Sequence, residues 1–154
     1  MKKLPASRNC FVCGRKNPSS LKLTFFQDDE GKTSTMLHIN AMHEGYPGVT
    51  HGGVIAAILD ETSGRAISLD PNEFFVTSEL KVRYRKPVPI ETDLIAKGWL
   101  VKRRGRVAIA KGCIMTLQDD ILAESEGAFV QIPAEAQDEM HKDMTDWRVY
   151  RDDE

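Results

Sequence analysis

The sequence predicts an α+β domain in which a highly curved antiparallel β-sheet wraps around one long central helix. Three observations carry that expectation. The segment VIAAIL at 54–59 is apolar on nearly every side and lacks a strand's period of two, which marks a single buried helix. Two segments before it and four after it read as strands. A helix that is apolar all round needs enclosure, and a sheet covered by one helix must bend around it.

Taken in order, residues 1–19 form a leader rich in turn formers, CFVCGRKNPSS. LKLTFFQ (21–27) alternates Leu21, Leu23 and Phe25 with Lys22 and Thr24, as a half-buried strand does. Asp28–Gly31 reads as a hairpin turn and KTSTMLHIN (32–40) as the returning strand. The loop AMHEGYPGVT, broken by Gly45, Pro47 and Gly48, leads to the helix. That helix is expected from 51 to about 69, stopped near Asp70 and Pro71 because proline lacks the amide proton to continue it. TSELKVRYRKPV, DLIAKGWLV, RVAIAKGCIMTL and ILAESEGAFVQI supply four further strands, separated by turn signals at 87–92, 103–105 and 118–120. The main domain is therefore expected over 20–132, with a polar tail at 133–154. Charge makes that tail a solvated helix or a frayed end, while Trp147, Val149 and Tyr150 expect part of it to dock on the body or a partner chain.

The 154 residues suit one domain with one core. Lys and Arg number 21 against 23 Asp and Glu, a net charge of −2 that argues against a basic nucleic-acid-binding surface. There is no 18-residue apolar run to span a membrane, and MKKLPASRNC lacks a signal-peptide apolar stretch, so a cytoplasmic protein is expected. The three cysteines, Cys10, Cys13 and Cys113, are an odd number and are expected to be reduced. Cys10 and Cys13 have the C-x-x-C spacing of a zinc site or redox pair, but zinc wants about four ligands and no second pair follows. His38, His43 and Cys113 would complete such a site only through tertiary coincidence, so no metal and no cofactor are expected.

HGGVIAAILDE, His51 to Glu61, is the segment most able to do chemistry. Gly52 and Gly53 open a helix whose amide protons point outward with the positive end of its dipole behind them, a place that holds an oxyanion. The alternative is a tight turn and nothing more. Asp60 and Glu61 interrupt an apolar helix, where a carboxylate is costly to bury and has a raised pKa. Such a group serves as a general base or a nucleophile; the bland alternative is a solvated stripe through Asp60, Glu61, Ser63 and Gly64. Asp60 follows His51 by nine positions, which on one helix is roughly 13 Å of rise. One carbonyl cannot touch both ends, so if both act on one substrate the site takes a residue from each of two chains, and a two-fold dimer follows.

HGGVIAAILDE after HEGYPGVT, followed by TSELKVRYRKPVP, resembles the PaaI-type hotdog-fold acyl-CoA thioesterases over roughly residues 20–132. The resemblance implies the hotdog fold and hydrolysis of an acyl-CoA. It further implies Asp60 as base or nucleophile, the Gly52 amide at the thioester carbonyl beside Gly53, and His51 orienting the carbonyl or the turn. Thr77 falls where such enzymes carry a Ser or Thr that positions water, on the same chain as Asp60, and Glu61 is a neighbour of the motif. A homo-oligomer, either a dimer or a tetramer of dimers, is implied as well. The departure is Gly45, six residues before the His, where related enzymes often have Asn or Gln; His43 or Glu44 would have to substitute for it.

Coenzyme A is polyanionic, so Arg103, Arg104 and Arg106, with Lys102, are candidate phosphate contacts, against the alternative of a solvated hairpin tip. Arg83, Arg85 and Lys86 form a second such cluster. Two other functions share the fold: a hydratase or dehydratase, which needs a His–carboxylate pair, and a non-catalytic acyl-CoA-binding module. The sequence does not choose the acyl group.

Overall fold

The computed structural model describes residues 1–144 and 146–154. Its elements are β1 (Lys2–Lys3), β2 (Phe26–Gln27), β3 (Thr33–His38), a 3-10 turn (Ala41–His43), α1 (Gly52–Gly64), β4 (Phe75–Tyr84), β5 (Asp93–Arg104), β6 (Val107–Thr116), β7 (Ile121–Gln131) and α2 (Ala134–Asp143). The strands form one antiparallel sheet of seven in the order β1-β2-β3-β5-β6-β7-β4. It curls around α1, which packs on β5, β6 and β7. This is the hotdog arrangement, with β4 on one edge. Among the described residues, no helix is long and apolar enough to cross a membrane.

The helix fits its groove because its inner face is apolar and the sheet beneath it is pared down. Ile58 and Leu59 are fully buried, each such side chain contributing about 1.5–3 kcal/mol by leaving water. Toward the C-terminal end, Thr62 and Ser63 are also fully buried, and their hydroxyls return to Ile58 O (2.6 Å) and Leu59 O (2.7 Å). Below them lie Gly98 and Gly112, partners across β5 and β6. A Cβ on Gly98 would stand 2.4 Å from Thr62 O, and one on Gly112 2.7 Å from Ser63 Oγ. Any side chain there would push the helix off the sheet.

Several expectations are corrected. The helix ends at Gly64, not near residue 69. Past it the chain tightens through Ala66 N to Ser63 O (3.1 Å) and Ile67 N to Gly64 O (3.4 Å). Buried Gln27 then stops it by donating Nε2 to the carbonyls of Arg65 and Ser68, as well as Gly31. LKLTFFQ is paired in the sheet only at Phe26–Gln27. Upstream, the amides of Leu21 and Leu23 bond to Phe11 O and Val12 O, so the leader takes the place of a neighbouring strand. That leader also supplies the unexpected β1 and buries Leu4, Ala6, Val12 and Cys13 in the main core.

The tail carries α2 and then packs down. Trp147 donates to Pro71 O (3.2 Å) and meets Phe74 edge-on, and Tyr150 is buried, whereas Val149 stays exposed. Ala6 and Arg148 form an antiparallel bridge between leader and tail.

Candidate active site

The N-terminus of α1 is set by His51. Its backbone amide donates to His43 O (3.0 Å), and its side chain caps the helix, Nδ1 accepting from the Gly53 amide at 2.9 Å. The Gly53 amide is thereby used within the turn. Gly52's amide has no acceptor among the described residues, which makes it the donor at this helix end that is open to a ligand. The Gly52 carbonyl accepts from Tyr84 Oη at 2.8 Å, so β4 holds the turn from the opposite side. In the sequence Tyr84 is simply a residue of the strand segment TSELKVRYRKPV. Its contact with Gly52 depends on how the sheet curves, and no local signal announces it.

Two helical turns further on, Asp60 is half-buried and accepts a hydrogen bond from Thr77 Oγ1 at 2.6 Å. Thr77 stands at an irregularity in β4, where Thr77 and Glu79 pair with Phe129 and Ala128 and Ser78 is left over. Such a bulge turns a strand and re-aims its side chains, here toward the helix. Burial holds the Asp60 carboxyl above its ordinary value of 3.8; the Thr77 hydrogen bond opposes this, and repulsion from Glu61 adds to it. Beside the pair lies a cleft of about 200 Å³ whose walls include Phe74, Phe75, Phe129 and Trp147.

The solvated-stripe alternative for this helix face fails at Ser63, which is wholly buried and hydrogen-bonded to Ser125 at 3.2 Å. Glu61 also lines the cleft, where it forms an ion pair with Arg65 at 2.8 Å.

Thus Asp60 and Thr77 come together, as do His51, Gly52 and Gly53, and the two groups occupy opposite parts of one helix, eight residues or about 12 Å apart. Gly45 has a steric reason: a Cβ there would lie 3.1 Å from His51 Cα. Neither proposed substitute reaches the cleft. His43 Nε2 lies 3.2 Å from Ser19 O, and Glu44 Oε2 accepts from the Gly48 amide at 3.0 Å.

The basic hairpin is partly tied into the fold. Arg103 is held by Glu73 through two hydrogen bonds (3.0 and 2.6 Å) and by Gln131, and it stacks 5.0 Å from the Phe75 ring centroid. Arg106 caps the Gln131 carbonyl. Both guanidinium groups make hydrogen bonds within the fold, Arg103 half-buried and Arg106 exposed like Arg104 and Lys102. In the second cluster, Arg85 pairs with Glu124.

A profile of the thioesterase superfamily matches residues 47–123 of the chain. Mouse acyl-coenzyme A thioesterase THEM4 is 29% identical over 113 residues, covering 72% of this chain and 48% of that protein. Human acyl-coenzyme A thioesterase THEM5 is 29% identical over 113 residues, covering 72% and 45%. The chain thus spans a little under half the length of these relatives. Among solved structures, the thioesterase superfamily protein RHA08564 superposes with a TM-score of 0.74 at 28% identity, over 80% of this chain and 63% of that one. Protein BH2602 of Bacillus halodurans, solved with CoA, gives 0.66 at 25% identity, over 75% and 78%. The E. coli PaaI protein shares the fold at a TM-score of 0.66 and 18% identity, over 73% and 80%.

Proposed function

The chain belongs to the thioesterase superfamily, and from that premise we propose that it hydrolyses an acyl-coenzyme A thioester to the free acid and coenzyme A. The observation that carries this reading is the Asp60–Thr77 pair in its partly apolar cleft. Thr77 donates a hydrogen bond from its hydroxyl to Asp60 Oδ1, so the lone pairs of its oxygen are free to accept from a water molecule. That water then lies within reach of Asp60 Oδ2. The carboxylate takes its proton as the oxygen attacks the thioester carbonyl, and the oxyanion forms against the Gly52 amide at the positive end of a helix. Collapse expels the coenzyme A thiolate, which recovers the proton from Asp60.

The carbonyl touches both groups only if they come from different copies. We therefore assign the site to a homodimer, Gly52 from one protomer and Asp60 with Thr77 from its partner. The exposed edge strand β4, ten residues long, supports this, since an open edge of that length is a ready pairing surface and it carries both Thr77 and Tyr84. Phosphate contact is assigned to Lys102, Arg104 and Arg106, the exposed cations of the β5–β6 hairpin.

The test is thiol release from short, long and aromatic acyl-CoAs by the wild type and Asp60→Asn. Turnover by the wild type and its loss in the variant support hydrolysis through Asp60. Equal turnover by both would refute the role of Asp60, and acyl-CoA binding with no turnover on any substrate would support a binding module instead. Oxygen-18 water separates the two modes of Asp60: single-turnover label entering the carboxylate would show a mixed anhydride in place of base-activated water.

A further inference from the structure

The leader and the helix meet at a cluster that the hydrolytic site does not use. The Sγ atoms of Cys10 and Cys13 and a carboxylate oxygen of Glu61 all lie within 4.8 Å of one another. We propose that these three residues form a binding site for one thiophilic dication of the zinc class.

Each ligand is held in place by something else. Cys10 Sγ accepts the amides of Val12 (3.3 Å) and Cys13 (3.5 Å), an arrangement that favours its thiolate and fixes its direction. The turn is closed by Gly14 N to Cys10 O (2.8 Å), and it is tight enough that a Cβ at residue 14 would sit 2.3 Å from that same oxygen. Glu61 Oε1 is bound by Arg65 at Nε (2.9 Å) and Nη2 (2.8 Å), which leaves Oε2 turned toward the sulfurs, 3.9 Å from Cys10 Sγ. A carboxylate fixed through one oxygen and offering the other is how outer contacts orient a metal ligand.

Charge and ligand type agree with this. Two thiolates and a carboxylate carry three negative charges, and a dication with the Arg65 guanidinium, whose Nη2 is 3.3 Å from Cys13 Sγ, carries three positive. Two sulfurs and one oxygen suit a borderline-soft tetrahedral ion, with water in the fourth position on the part-exposed side of Cys10. A Cys10–Cys13 disulfide accounts for less. It would use neither the convergence of Glu61 Oε2 on the sulfurs nor the contact of Arg65 with Cys13. An ion here would tie the leader to α1 one residue from Asp60.

The test uses the full chain, stripped by chelator under reducing, anaerobic conditions and titrated with Co2+, then Zn2+. Expected are one Co2+ per chain, a thiolate-to-cobalt charge-transfer band with tetrahedral visible bands, and displacement by Zn2+. The band should vanish in Cys10→Ser and Cys13→Ser, persist in Cys113→Ser, and require on the order of tenfold more metal or beyond in Glu61→Gln. X-ray absorption of the zinc-loaded wild type needs no variant to fold: two sulfurs at about 2.3 Å and two lighter atoms at about 2.0–2.2 Å are expected. No charge-transfer band in the wild type, a zinc shell without two sulfurs, or a Cys10–Cys13 disulfide in protein isolated without oxidant would each overturn the proposal.

Discussion

Asp60 is a carboxylate that the fold tolerates at a cost. Its folded-state pKa is raised by burial, so the protonated form favours folding; that stability is present below the ordinary value of 3.8 and is lost as pH rises through the folded value. At neutral pH the ionised side chain therefore destabilises the protein. Asp60→Asn is expected to lower turnover about 10²- to 10⁴-fold while leaving the urea midpoint at pH 7 unchanged or higher; a lower midpoint would show the carboxylate to be structural. Thr77 pulls the same pKa down, so Thr77→Val should move the acid limb of the kcat profile to higher pH as well as slowing turnover. A profile that falls without shifting would place Thr77 outside the proton step. Tyr84→Phe removes the hydroxyl from the Gly52 carbonyl. We expect kcat/KM to drop roughly 2- to 10-fold with an unaltered urea midpoint, in keeping with one hydrogen bond at an exposed position. His51, Gly52 and Asp60 were legible in the sequence because they lie within ten residues of one another, and the resemblance carried Thr77. Tyr84, Gln27 and the meeting of Cys10 with Glu61 were not, since each joins segments that only the curvature of the sheet brings together.

Among the elements, the four long strands and the buried helix were legible because their patterns are strong and local. Where an element departs from its local pattern, the cause is a partner distant in sequence. LKLTFFQ alternates like a strand and yet finds its partners in the leader's turn, and the helix ends at Gly64 because Gln27, far away in sequence, takes the carbonyls beyond it. Composition around residues 65–69 carries no trace of that. The tight seat of α1 makes a further prediction. Gly98→Ala sets a methyl group against the Thr62 carbonyl, a backbone atom with nowhere to go, and should cost about 1–3 kcal/mol in urea unfolding. A value within error of zero would mean that the helix can ride higher on the sheet than the packing indicates.

For the whole molecule, the distribution of one site over two chains is open to a mixing experiment. Gly52→Pro deletes the single donor at the first helical position, where proline is best tolerated. Gly52→Pro and Asp60→Asn should each be inactive alone. Unfolded and refolded together in equal amounts, half of the resulting dimers are hybrids with one intact site of two, so about a quarter of wild-type activity should return. No recovery, with hybrids verified by mass spectrometry, would place both groups in one chain.

The bridge between Ala6 and Arg148 joins segments separated by nearly the whole chain, and the leader residues near it, Leu4 and Val12, belong to the same buried cluster as Tyr150. Contacts of that separation are the slowest to form, because the intervening chain must first give up its freedom. During synthesis the leader emerges before the tail, and it finds its last partner only when the tail has cleared the ribosome. Until then its apolar side chains have an incomplete groove to lie in, and this is the interval in which the protein is most open to chaperones, to proteases and to other copies of itself.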